Sequence, residues 1–160
     1  MAVDQFLLLD KVPGEAQDKD KKGEIDILAW SWGMSQNGTT HMGSGSGAGK
    51  VNVQDISCTK YVDLASTVLM KKCTLGEHIA TGKLTVRKAG GSQIEYITIE
   101  LTDIIVTSIS TGGSGGEDRL TENVTLNFGE YKIIYTEQTP EGGEGKKPEF
   151  AYNIAENSEP

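Results

Sequence analysis

Alternating apolar and polar positions run through most of the chain and predict β-strands. The alternation is clearest where Ile97, Ile99 and Leu101 are separated by threonine and glutamate. The segments with this pattern, or with a short β-prone apolar run, are Val3–Leu9, Glu24–Met34, Val51–Val62, Ile79–Lys88, Ile94–Ser110 and Val124–Tyr135. The chain is therefore predicted to be mainly β.

One segment, Leu64–Leu75, has helical periodicity instead. Its apolar residues Ala65, Leu69 and Cys73 recur every four positions and share one face of a helix. The residue before the segment is Asp63, a good N-cap, and the residue after it is Gly76, which can end a helix. This pattern predicts one helix that lies on the sheet by a single apolar stripe.

The apolar phase of the predicted strands switches by one residue at three places: Ile56, Asp103 and Gly129. Such a switch requires a bulge or a bend, and repeated bends allow long antiparallel strands to curl into a closed barrel. The predicted fold is an antiparallel β-barrel (two curved sheets) flanked by one α-helix, in a single domain over residues 1–160. From about residue 137 the tail is predicted to be a polar linker, in which Phe150–Ile154 could return as a short strand.

Strict alternation also predicts which side chains share a face. In the second predicted strand it places Trp30 and Trp32 together, and packing in the core is the favoured role of these two side chains. The opposite face receives Ile25, Ile27, Ala29 and Ser31. In Ile79–Lys88 the alternation points Leu84 and Val86 inward and Lys83, Thr85 and Arg87 outward.

The charge balance narrows the classes of partner. Asp and Glu outnumber Lys and Arg by 23 to 15, which gives a net charge of −8 in 160 residues. No positive field attracts the chain to nucleic acid or to anionic lipid. No run of about 18 apolar residues predicts a membrane span, and the first 15 residues lack the features of a signal peptide. The protein is expected to be made in the cytoplasm.

Candidate chemistry is sparse. Cys58 and Cys73 are expected to be free thiols, and the two cysteines and two histidines have no metal-ligand spacing, so no cofactor is predicted. The glycine-serine loop at 37–50 fails as a phosphate loop, because Val51 stands where a hydroxyl residue must follow the lysine. No nucleophile elbow occurs. Glu117, Asp118 and Arg119 could serve acid–base work, but adjacent loop charges more often bind solvent or another subunit. The chain is not expected to be an enzyme.

Several ordered blocks of residues closely resemble the Hcp (haemolysin-coregulated protein) family of bacterial type VI secretion. The blocks are Ile27–Ser35, Gly47–Asp55, Lys60-Tyr61, Leu84–Gly91 and Ser108–Phe128. The similarity extends from Met1 to about Tyr135, and the order of several long blocks is more specific than any single glycine loop. The tail after Glu137 matches poorly.

The resemblance implies a tube subunit. Six copies would form a homohexameric ring, and stacked rings would be propelled by a contractile sheath and baseplate, beneath a VgrG-type spike, out of the cell. The ring lumen would hold small effector proteins, with Ser31 as a candidate lumen residue. Candidates for contact between subunits or rings are Gly43, Gly45, Gly47, Gly112, Gly113, Glu117, Asp118 and Arg119. The alternative hypothesis is a monomeric β-sandwich that binds a ligand through the tryptophan strand.

Overall fold

The computed structural model describes residues 3–38, 50–88 and 93–160. These residues form nine strands and one helix. The elements are β1 (Val3–Leu9), β2 (Ile25–Ser31), β3 (Met34–Ser35), β4 (Asn52–Val53), β5 (Ile56–Tyr61), α1 (Ala65–Leu75), β6 (Ile79–Lys88), β7 (Glu95–Thr111), β8 (Thr121–Tyr135) and β9 (Glu149–Asn153).

Six of the strands close into an antiparallel barrel. Their order is β5-β2-β1-β6-β7-β8, and the pairing of β5 with β8 joins the two ends. Strand β9 extends the sheet beside β8, and β3 and β4 form a separate two-stranded ribbon. The predicted barrel with one flanking helix is confirmed. The β-sandwich fold of the alternative hypothesis is wrong, because the β5–β8 ladder joins the strands into one closed sheet.

The bends predicted at Asp103 and Gly129 lie next to each other on neighbouring strands. Asp103 has a left-handed backbone with a φ of 55°, and a Cβ on Gly129 would lie 3.6 Å from the Cβ of Asp103. Leu101 and Ile104 are consequently both buried on β7. The change of phase in the sequence therefore marks a true bend of the barrel wall.

Helix α1 packs on β7 and begins one residue after the predicted start. The Asp63 carboxylate accepts a hydrogen bond from the Ala65 amide at 2.9 Å, and Gly76 ends the helix with a φ of 66°. Ala65 and Leu69 are fully buried in the core. The prediction of a helix that lies on the sheet by one apolar stripe is confirmed.

The prediction for β2 is wrong in its second half. The register of β2 against β5 shifts between Ile27 and Ala29, so the alternation changes phase there. Ile27 is buried as expected, but Ser31 is exposed on the outer surface. Trp30 and Trp32 pack against the core, as predicted for the tryptophan pair.

The outward assignment of Thr85 and Arg87 is also wrong, because both side chains are buried. The segment that follows β1 covers this part of β6. The Arg87 guanidinium donates a hydrogen bond to Asp18 and stacks on Phe6 at 5.1 Å from the ring centroid. This hydrogen bond holds the pKa of Asp18 below its usual value. A covered outer face of this kind leaves no trace in the alternation of a single strand.

A buried charge cluster crosses the seam where β5 meets β8. The Lys60 ammonium contacts Glu122 at 2.5 Å and Asp63 at 2.8 Å, and the side chains of Lys60 and Glu122 are 0% exposed. Ser66 of α1 donates a hydrogen bond to Glu122 at 2.6 Å. The cluster therefore links β5 and β8, the two strands at which the barrel closes, to the helix.

The tail after residue 137 is attached to the barrel by the pairing of β9 with β8. The Glu137 amide donates to the carbonyl of Lys146 at 2.8 Å, and Thr139 and Gly143 form a tight turn between them. The predicted return strand is present as β9, shifted by one residue.

Candidate functional site

The outer surface of four barrel strands carries a row of four hydroxyl side chains. Ser31 of β2 pairs with Ser57 of β5, Ser57 pairs with Thr125 of β8, and Thr125 pairs with Ser108 of β7. All four residues are at least partly exposed. Ser108 and Thr125 share a hydrogen bond of 2.6 Å between their hydroxyl oxygens.

A second row runs parallel to the first, two residues further along the strands. It consists of Ala29, Thr59, Asn123 and Ser110. Thr59 donates a hydrogen bond to the Asn123 side chain at 2.7 Å. We call the two rows together the hydroxyl face.

The hydroxyl face is nearly flat and carries no charge. With strands roughly 4.8 Å apart and a rise of roughly 3.4 Å per residue, each row is about 14 Å long and the rows lie about 7 Å apart. None of its eight residues is ionisable, and none is larger than asparagine. Such a surface offers many hydrogen bonds to a protein partner and no apolar anchor.

Ionic groups stand at the two ends of this face. At one end Asp55, in the break between β4 and β5, accepts hydrogen bonds from Thr107 at 2.6 Å and from Asn127 at 2.9 Å. At the other end the Arg119 guanidinium stacks on Tyr61, 3.7 Å from the ring centroid. A negative and a positive group therefore bracket the neutral rows.

The sequence identified Ser31 but missed its partners in the row. Ser57, Ser108 and Thr125 come from three other strands, and a bulge between Val106 and Ser108 sets the phase of the last one. The available signal was the high frequency of Ser and Thr at outward positions of these strands. Without the register of the strands, the sequence does not show which of these Ser and Thr residues lie side by side.

The loop between β7 and β8 carries the other described candidates. Leu120 folds over Gly113 so closely that a Cβ there would collide with it, whereas Gly112 has open space around it. Arg119 stacks on Tyr61 instead of pairing with Glu117 or Asp118, which form no ion pair within the described residues. Both carboxylates are exposed at the end of the barrel. Gly43, Gly45 and Gly47 lie outside the described residues.

An aromatic cleft of about 500 Å³ opens beside β9. Its walls include Tyr131, Phe150, Tyr152 and Met34. Trp32 packs edge-on against Tyr131 at 4.8 Å between ring centroids, and burial raises the pKa of the Tyr131 phenol. The tail thus completes an aromatic cluster that begins with the tryptophan strand.

No group of three or more His, Cys, Asp or Glu side chains in the described residues is placed to hold a metal ion. Burial raises the pKa of the Cys58 thiol to about 12, so it stays protonated at neutral pH. In the same part of the chain, no helix has the length and apolar character needed to cross a membrane.

The geometry defines a small closed β-barrel with a neutral, hydroxyl-rich row on its outer surface. Comparison with known proteins gives the family. Residues 6–135 match the family described as "Type VI secretion system effector, Hcp". The chain belongs to the Hcp family of the type VI secretion system.

Individual relatives agree with this assignment over nearly the whole chain. Protein hcp1 of Pseudomonas aeruginosa is 55% identical over 159 residues, which cover 98% of each chain. The crystal structure of Hcp1 from Salmonella typhimurium is 37% identical, with a TM-score of 0.82 and full coverage of both chains. A structure described as a type six secretion system protein has a TM-score of 0.93 at 28% identity, covering 99% of this chain and all of the other. The resemblance inferred from the sequence is confirmed.

Proposed function

We propose that this protein is the structural subunit of a type VI secretion tube. Six copies form a ring, rings stack into a tube, and the tube leaves the cell with small effector proteins in its lumen. The chain has no catalytic role in this proposal. Its partners are further copies of itself, the VgrG-type spike, the contractile sheath and the baseplate. Family membership supports the proposal, together with the neutral hydroxyl face.

The hydroxyl face is the surface that we assign to the lumen. A channel wall must let cargo slide as well as hold it, which requires many weak contacts and no deep pocket. Rows of small hydroxyl groups supply this chemistry, since a hydrogen bond exchanged with water contributes only about 1 kcal/mol. Ser31 stands at one end of the first row. Repetition of the face around a ring would multiply weak contacts into useful retention.

The ends of the barrel are assigned to contacts between subunits or rings. Gly112 and Gly113 shape the β7–β8 loop, and Glu117, Asp118 and Arg119 provide charges on it. Gly43, Gly45 and Gly47 are proposed for the same role. We expect the amides of residues 112–116 to gain protection from hydrogen exchange when tubes assemble. Unchanged exchange in assembled tubes would contradict this placement.

The proposal is tested by native mass measurement and by substitution of Ser31. The purified protein should have the mass of a hexamer, and a stable monomer at high concentration would contradict the ring. Ser31→Gln places a longer side chain on the hydroxyl face and should lower the amount of cargo that co-purifies, while the hexamer mass is kept. The matched control is Ser158→Gln, at an exposed position of the tail. Equal cargo in wild type and Ser31→Gln would refute the role of this face.

A further inference from the structure

A chain of hydrogen bonds links the hydroxyl face to Asp55. The Thr107 hydroxyl is 2.6 Å from one carboxylate oxygen of Asp55 and 2.7 Å from the Thr125 hydroxyl. The Thr125 hydroxyl is in turn 2.6 Å from that of Ser108. Asn127 donates to the second carboxylate oxygen at 2.9 Å and holds the carboxylate in place. Three hydroxyl groups are thus connected in series to one negative charge.

The carboxylate fixes the direction of this chain, because an ionised carboxylate only accepts and each hydroxyl has a single hydrogen. Thr107 gives its hydrogen to Asp55, since this contact is shorter and charge-assisted, whereas the Thr125 carbonyl is 3.1 Å away. Thr125 must then donate to Thr107, and Ser108 to Thr125. The exposed Ser108 oxygen is left with free lone pairs and no hydrogen to give.

We propose that this end of the hydroxyl face binds hydrogen-bond donors, and cationic donors above all. Asp55 supplies a negative charge that forms no ion pair with a lysine or arginine of the described residues. Ser108 supplies the terminal acceptor. The ligand is a polypeptide segment that bears Lys or Arg. This inference rests on the proposed function. If the hydroxyl face lines the lumen, the lumen prefers cargo with a basic surface over cargo with an acidic one.

The experiment measures the binding of two fluorescein-labelled peptides by fluorescence anisotropy at low and high salt. Both peptides have 12 residues and alternate Ser with either Lys or Glu. Wild type should bind the Lys peptide at least about tenfold more tightly at low salt, as a charge-assisted contact requires, and the difference should shrink at high salt. Asp55→Asn should reduce the preference to within about threefold.

Two further variants separate the proposed site from simpler causes. Asp10→Asn removes the same charge at an exposed turn and should keep the preference, which controls for the acidity of the whole protein. Thr107→Val keeps the Asp55 charge but cuts the chain, so Ser108 is no longer held as an acceptor, and the preference should fall by a smaller factor than in Asp55→Asn.

Two outcomes would overturn the inference. One is an equal loss of preference in Asp55→Asn and Asp10→Asn, and the other is full preference in Thr107→Val. Neither outcome affects the hexamer mass or the retention of cargo measured with Ser31→Gln. Conversely, a monomeric protein that still shows the Asp55-dependent preference would contradict the tube proposal and support the binding site. The two proposals therefore fail separately.

Discussion

Replacing Lys60 by methionine tests the buried cluster at the seam of the barrel. Lys60 and Glu122 face each other across β5 and β8, the pairing that closes the barrel. Methionine has a similar length but no charge, so the variant leaves the carboxylates of Glu122 and Asp63 buried without their cation. Both side chains are almost inaccessible, at 0% and 6% exposure, so water cannot replace the ammonium.

The expected loss is large for a single substitution. Breaking a buried ion pair by removing one partner costs about 3–5 kcal/mol, because an uncompensated charge remains in the interior. Lys60→Met should lower the free energy of unfolding by that amount. Glu122→Met should also be costly, since it removes a partner from Lys60 and from Ser66. The double variant should be more stable than the sum of the two losses predicts, with a coupling of at least about 1 kcal/mol.

The assay is urea unfolding followed by far-UV circular dichroism at one fixed protein concentration, because association would otherwise shift the apparent stability. The control is Lys132→Met, which breaks a surface contact with Glu149 at 3.4 Å. An exposed pair of this kind contributes about 0–1 kcal/mol. The interpretation would be refuted if Lys60→Met cost no more than Lys132→Met, or if the two losses at the seam were simply additive.

Three further predictions concern separate parts of the barrel. Gly82→Ala should lower the free energy of thermal unfolding by about 1–3 kcal/mol, because the new Cβ would lie 2.7 Å from Leu9 of β1 and 2.8 Å from Ile104 of β7. The control Gly112→Ala has open space around its Cβ and should be neutral. The lowered pKa of Asp18 stabilises the fold above its unfolded pKa of about 4, and this contribution is lost as the pH falls through the lower folded value. Asp18→Asn should therefore flatten the decline of stability in acid, and an unchanged pH profile would contradict the contact with Arg87. Iodoacetamide at pH 8 should modify Cys73 before Cys58, because the Cys58 thiol is buried and its pKa of about 12 leaves almost no thiolate. Mass spectrometry follows the labelling, and faster labelling of Cys58 would be inconsistent with its burial.

The barrel could be predicted because its bends change the local alternation of apolar and polar residues. The change of parity around Asp103 and at Gly129 requires a bend in any sheet that keeps its apolar side chains inside. Gly76 likewise ends the helix as predicted. The N-cap residue is Leu64 and not Asp63, although Asp63 accepts a hydrogen bond from the amide of the first helical residue, Ala65. Features of this kind depend on neighbours in the chain, which a sequence displays directly.

The wrong predictions depend on partners that are distant in sequence. Arg87 is buried under the segment that carries Asp18, which is 69 residues away. The burial of Lys60 against Glu122, 62 residues away, was not predicted at all. An arginine or lysine at an alternating strand position has the same pattern whether or not a loop covers it. Ser31 changed face because of one bulge in β2, and its row exists only through the register of four strands. Long-range pairing therefore decides the candidate site.

Electron microscopy of the purified protein tests the central proposal most directly. The purified protein should form six-fold rings with an open channel, and in a reconstruction the row from Ser31 to Ser108 should face that channel. Particles without rings, or rings that turn this row outward or bury it between subunits, would contradict it.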